Sequence, residues 1–128
     1  MKKLFAFFVF LALLNIANAQ TPLAKWPELN NFHELIDGTY HPSIKGQMQP
    51  IKEKSGEMYK KARLLTKHKI PAQFDNAEVR KATEKLVTLC KNVNDLVVKK
   101  ASDQEIKNEL SKAHSAFHEL LDIAKIEE

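Results

Sequence analysis

Between Val79 and Val97 the apolar residues return every three or four positions: Val79, Ala82, Leu86, Leu89/Cys90, Val93, Leu96/Val97. At 3.6 residues per turn this spacing draws one apolar stripe along a helix and leaves its other faces polar. A second stripe of the same kind runs through Ile106, Leu110, Ala113, Phe117, Leu121 and Ala124. No segment reads as a strand. Such stripes leave water only by packing against one another, so the expected fold is all-α.

Punctuation divides the chain into four helices. Asp75 is a suitable N-cap for the third, with Glu78 three residues on as its capping-box partner and Phe74 placed to staple onto Val79. Ser102 and Glu105 form a second capping box at the start of the fourth. The few residues from Lys99 to Ala101 allow only a tight connection, which makes these two helices antiparallel neighbours. The second helix is expected from Pro50, with Ile51, Met58, Ala62 and Leu65 inward, and Lys67, His68 and Lys69 in its last turn before Pro71. The first runs from Pro27 to Gly38 or His41, with Leu29, Phe32, Ile36 and Tyr40 inward. Pro42 to Gln49 reads as an irregular loop. Four helices with short connections imply an up-down-up-down four-helix bundle.

The first 19 residues have the form of a cleaved leader. Lys2 and Lys3 precede an apolar run from Leu4 to Leu14, and Ala17-Asn18-Ala19 is an A-x-A cleavage signal. The run is too short for a spanning helix, so no stable membrane insertion is expected once it is removed. Residues 20–128 then form one domain in the periplasm or outside the cell. Lys2 and Lys3 leave with the leader, so 18 basic residues face 16 acidic ones. That balance gives no reason to invoke nucleic acid. The single cysteine, Cys90, lies inside the third helix's apolar stripe and reads as a buried core residue.

The polar residues that stand out are histidines near the two ends. Phe32-His33-Glu34-Leu35-Ile36-Asp37 early in the domain is echoed by Phe117-His118-Glu119-Leu120-Leu121-Asp122 late in it. His41 follows eight residues after His33, and His114 precedes His118 by four. If the first and last helices are antiparallel neighbours, His33 is level with His118 and Asp37 with His114, while His41 faces Leu110. At about 100° per residue, His33 and His114 lie about 60° to the same side of their stripes, so they point either both into the shared seam or both away from it; His118 lies about 100° round and His41 further.

Imidazole is the commonest side-chain ligand for divalent transition metals, and histidines four apart on a helix reach one ion. His33, His41, His114 and His118 are therefore the candidate ligands. Asp37, Glu34 or Glu119 is an additional ligand or an acceptor for an imidazole N–H, and Asp122 is a further carboxylate in reach. Nitrogen and oxygen donors of this kind suit zinc, copper(II) or nickel better than magnesium or calcium. Met58 reads as core filling, and His68, alone in a lysine-rich helix end, as a surface residue. No His-Glu-x-x-His motif, Glu-x-x-His pair or activated nucleophile is present, so the chain is not expected to be an enzyme.

With helices and histidines placed, the chain resembles exported bacterial four-helix bundles of the cytochrome b562 and cytochrome c′ type. Ala116-Phe117-His118 is similar to the small-aromatic-His segment that carries the haem-ligating histidine on the last helix of b562-like proteins. The resemblance implies non-covalent haem b held between His118 and His33, because His33 stands near the place where those proteins carry a methionine. The chain has no Cys-x-x-Cys-His, so covalent attachment is ruled out. His33, His41-Pro42, His114 and His118 also resemble small exported His-containing bundles that bring no activity with them.

Three functions follow as expectations. The first is an exported bundle binding zinc or copper for buffering, delivery or sensing. The second is a b562-like electron-transfer protein. The third is a protein-interaction bundle or homodimer with incidental histidines and an exposed apolar patch around Trp26, Phe74 or Ile123.

Overall fold

The computed structural model describes residues 22–127. The expected leader, residues 1–19, lies outside them. A short 3-10 helix, Pro22–Lys25, leads into α1 (Pro27–Ile44), α2 (Gln49–Lys67), α3 (Ala77–Val98) and α4 (Asp103–Ala124). Among the described residues there is no strand, and no helix is long and apolar enough to cross a membrane.

The apolar stripes meet in one core. Leu29, Phe32 and Ile36 of α1 face Ile51, Met58 and Leu65 of α2, Leu86, Cys90 and Val93 of α3, and Leu110, Phe117 and Leu120 of α4. Each side chain removed from water in this way contributes about 1.5–3 kcal/mol. Each helix packs on the next in sequence, and α4 returns to α1 across the thinnest of the four seams. Along that seam Phe32 meets Phe117 and Tyr40 meets His114, so numbers rise on α1 as they fall on α4. Buried hydroxyls stay satisfied locally: Thr39 donates to the Leu35 carbonyl at 3.0 Å and Thr83 to that of Val79 at 2.7 Å. Between helices, Ser55 donates to Asn94 Oδ1 at 3.0 Å.

Helix ends depart from the sequence expectation in three places. The N-cap of α3 is Asn76, which accepts the Val79 N–H at 2.9 Å; Asp75, one residue earlier, accepts a 2.8 Å bond from Arg80 Nε instead. Either short acceptor fills this role, and the chain uses the one nearer the stripe. Phe74 stands two residues before this N-cap, and it and Val79 are both buried in the core. The Phe74 ring stacks on Trp26 with centroids 5.7 Å apart, and both are buried, so neither supplies an exposed apolar patch. The large exposed hydrophobics among the described residues are Ile44 and Val98.

The third departure is at the end of α1, which continues through Pro42 to Ile44. The turn that stops it is built from backbone. Gln47 N–H bonds the Pro42 carbonyl and Gly46 N–H that of Ser43, each at 3.0 Å, with Gly46 at φ 80. This is a Schellman closure, and glycine takes the left-handed position without a Cβ clash. The same closure ends α3 and α4 with lysines in the left-handed position, Lys100 at φ 58 and Lys125 at φ 57. Pro42, in the last turn, removes one N–H, and the closure supplies the turn's remaining bonds. The extra turn carries His41 into the helix proper, which matters for the site.

The Ser102 box at α4 forms as the sequence indicates, with the Ser102 hydroxyl accepting the Glu105 N–H and Glu105 bonding back to the Ser102 N–H at 3.0 Å. The Ser102 N–H and hydroxyl hold the Glu105 carboxyl below its ordinary value. A depressed carboxylate stabilises the fold above its unfolded pKa, and that help fades as pH falls through the folded value. Ser102→Ala should lower stability by about 1 kcal/mol. Urea unfolding of the two proteins checks this: the midpoint should fall with the slope unchanged.

Candidate metal centre

Asp37 sits at the centre of the α1–α4 seam. It lies four residues after His33 and four before His41, so little more than two turns of one helix bring three side chains onto one face. His33 Nε2 is 2.9 Å from Asp37 Oδ2. The other oxygen, Oδ1, lies 3.7 Å from His41 Nε2 and 3.9 Å from His114 Nε2, which reaches across from α4. Ligand atoms of Asp37, His41 and His114 all lie within 4.8 Å of one another. His118, one turn further along α4, places Nε2 3.2 Å from His114 Nε2.

The expected register between Asp37 and His114 is therefore observed. His33 stacks on Phe117, one residue from the expected level partner, with centroids 5.4 Å apart and planes within 13°. His41 departs from expectation: its ring packs edge-on to His114, centroids 5.7 Å apart, rather than opposite Leu110. Side chains on a helix lean toward its N-terminus, so His41 reaches back by one turn to the level of Asp37. Glu119 is turned away from the seam and bonds Lys85 at 2.9 Å. Glu34 and Asp122 are exposed and have no place in the cluster. His68 belongs to a different surface, where its Nδ1 is 3.2 Å from Glu28.

Two aromatic residues that sequence reasoning gave no part in the site complete its walls. The Tyr40 ring stacks face-on against His114 at 3.8 Å, and Phe117 backs His33. Their helical spacing was readable, but stacking partners on another helix are not. The result is a cluster closed toward the core and open at its edge: the His114 side chain is 16% exposed and that of His41 56%.

The donor set suits a small divalent ion. For metal–ligand bonds of 2.0–2.1 Å in tetrahedral geometry, neighbouring ligand atoms are separated by about 3.3 Å. The two Asp37 separations, 3.7 and 3.9 Å, need only a small contraction; His118 pairs with His114 at 3.2 Å but stands outside the group formed by Asp37, His41 and His114. Cys90 is excluded from such a role: it is fully buried in α3, and burial pushes its thiol up to about 12, so no thiolate forms near neutral pH. The geometry does not fit haem between His33 and His118. Phe32 and Phe117 are both fully buried, with ring centroids 5.6 Å apart, and fill the seam beside His33 that the macrocycle would need.

Comparison of the chain with protein-family models, with curated proteins and with solved structures finds no match. The resemblance to b562-type bundles thus reduces to what the fold itself displays, four helices and no strand among the described residues.

Proposed function

We propose that this protein is an exported helical bundle, its helices running up-down-up-down, that binds a divalent transition metal in the α1–α4 seam. The observation that carries the reading is the convergence of Asp37, His41 and His114 within 4.8 Å from two helices far apart in sequence. In this reading Asp37 Oδ1 and the Nε2 atoms of His41, His114 and His118 are the ligands, and zinc or copper(II) is the ion. The exposed His41 edge makes the ion exchangeable, which suits buffering, delivery or sensing better than a purely structural role. Imidazoles ligate only when neutral, so affinity falls as the solution is acidified.

A melt of the protein with and without stoichiometric Zn²⁺ or Cu²⁺ tests the reading. An ion that binds the folded state alone at 100 times its Kd stabilises by about 2.7 kcal/mol. That rise in Tm should vanish in His114→Ala/His118→Ala and persist in His68→Ala. An equal metal response in the two variants would remove the assignment.

A further inference from the structure

The two oxygens of Asp37 have different neighbours. Oδ1 looks toward His41 and His114, whereas Oδ2 is held by His33 Nε2 at 2.9 Å, an ordinary length for a charge-assisted hydrogen bond. His33 is itself fixed. Its ring lies nearly parallel to that of Phe117, 5.4 Å away, and Phe117 is fully buried against Phe32. A buried aromatic thus sets the plane of an imidazole, and that imidazole sets the rotation of the carboxylate.

Resting on the proposed metal reading, we infer that His33 is a positioning residue and not a ligand. It donates from Nε2 to Asp37 Oδ2 and thereby points Oδ1 at the ion. Of the four histidines that sequence spacing offers as equivalent ligands, this one has the separate task of holding the only carboxylate in the cluster. Three consequences distinguish it from a ligand. The number of imidazoles on the metal does not include His33. Its contribution to affinity passes through Asp37. A side chain that keeps an N–H donor at the same reach replaces it.

Glutamine places its amide nitrogen near the position of imidazole Nε2, which makes His33→Gln the conservative variant and His33→Ala the deletion. The experiment is Zn²⁺ calorimetry on the full chain for both, alone and combined with Asp37→Ala, with circular dichroism confirming that each variant is folded at the working temperature. Pulsed EPR of the Cu²⁺-loaded protein counts coordinated imidazoles. The expected results are a loss of about 10–100-fold in Zn²⁺ affinity for His33→Ala and recovery of most of it in His33→Gln. No further loss is expected from His33→Ala when Asp37 is already alanine, and the imidazole count in His33→Gln should equal that of the wild type. Should His33→Ala fail to fold, His33→Gln carries the test through the imidazole count alone. A count lower by one, undiminished affinity in His33→Ala, or an equal loss in the Asp37→Ala background would each overturn the inference while leaving the metal centre standing. Wild-type protein that binds neither Zn²⁺ nor Cu²⁺ would instead overturn the centre, and this inference with it.

Discussion

Phe117→Ala should lower the stability of the fold by about 3–5 kcal/mol, the range for truncating a fully buried phenylalanine. Phe117 has no exposed surface and packs on Phe32 across the α1–α4 seam, so truncating it leaves a buried cavity. Urea unfolding of the metal-free protein measures the loss. The same change takes away the surface on which the His33 ring rests, so Zn²⁺ affinity should fall as well, at temperatures where the variant remains folded. Phe117→Leu separates the two effects: it restores most of the buried volume but no flat ring. Most of the stability should return with it while affinity stays reduced. A fall in stability of less than about 1 kcal/mol for Phe117→Ala would show that the seam is looser than its packing indicates.

Asp37→Asn should do the opposite, with little change in stability and a large change in binding. The Asp37 side chain is about a third exposed (35%), and its pairings with His33, His41 and His114 are partly solvated. Ion pairs of this kind contribute about 0–1 kcal/mol, so the apo protein should unfold at nearly the wild-type urea concentration. The amide keeps the shape of the carboxylate but loses its charge, and one face of it now offers N–H donors to an ion or to His33. Zn²⁺ affinity should drop on the order of 100-fold or more, beyond the range of losing an outer partner alone. Titration of both proteins with Zn²⁺ under the same buffer decides it. Unchanged affinity would mean that the carboxylate is not a ligand.

How far the sequence reached can be seen residue by residue. The stripes of α3 and α4 and the Ser102 box follow from spacing and capping chemistry, both local, and the structure has them in place. The register that sets Asp37 level with His114 was also legible, because it depends only on chain direction and the rise per residue. Cys90 was readable as core because it sits in a stripe. The misses share a cause. The extra turn through Pro42, the choice of Asn76 over Asp75, and the Trp26–Phe74 stack all depend on what a segment meets after folding. Asp37 ranked below the histidines as a donor, although His33, Asp37 and His41 are spaced i, i+4, i+8 and share a face. The sequence held that signal. What it did not hold was which oxygen each neighbour takes, since that depends on a ring plane set by Phe117 on another helix.

The thin seam between α1 and α4 carries a consequence for the order of events in folding. The donors come from the first and last helices, so a chain whose last helix has not yet docked offers an ion only Asp37 and its neighbours on α1. Half a centre holds metal weakly. In the proposed centre, loading would report that α4 has docked on α1, and the ion would tie together segments far apart in sequence. A molecule clipped before α4 would lack His114 and His118 of that centre and should lose its metal response.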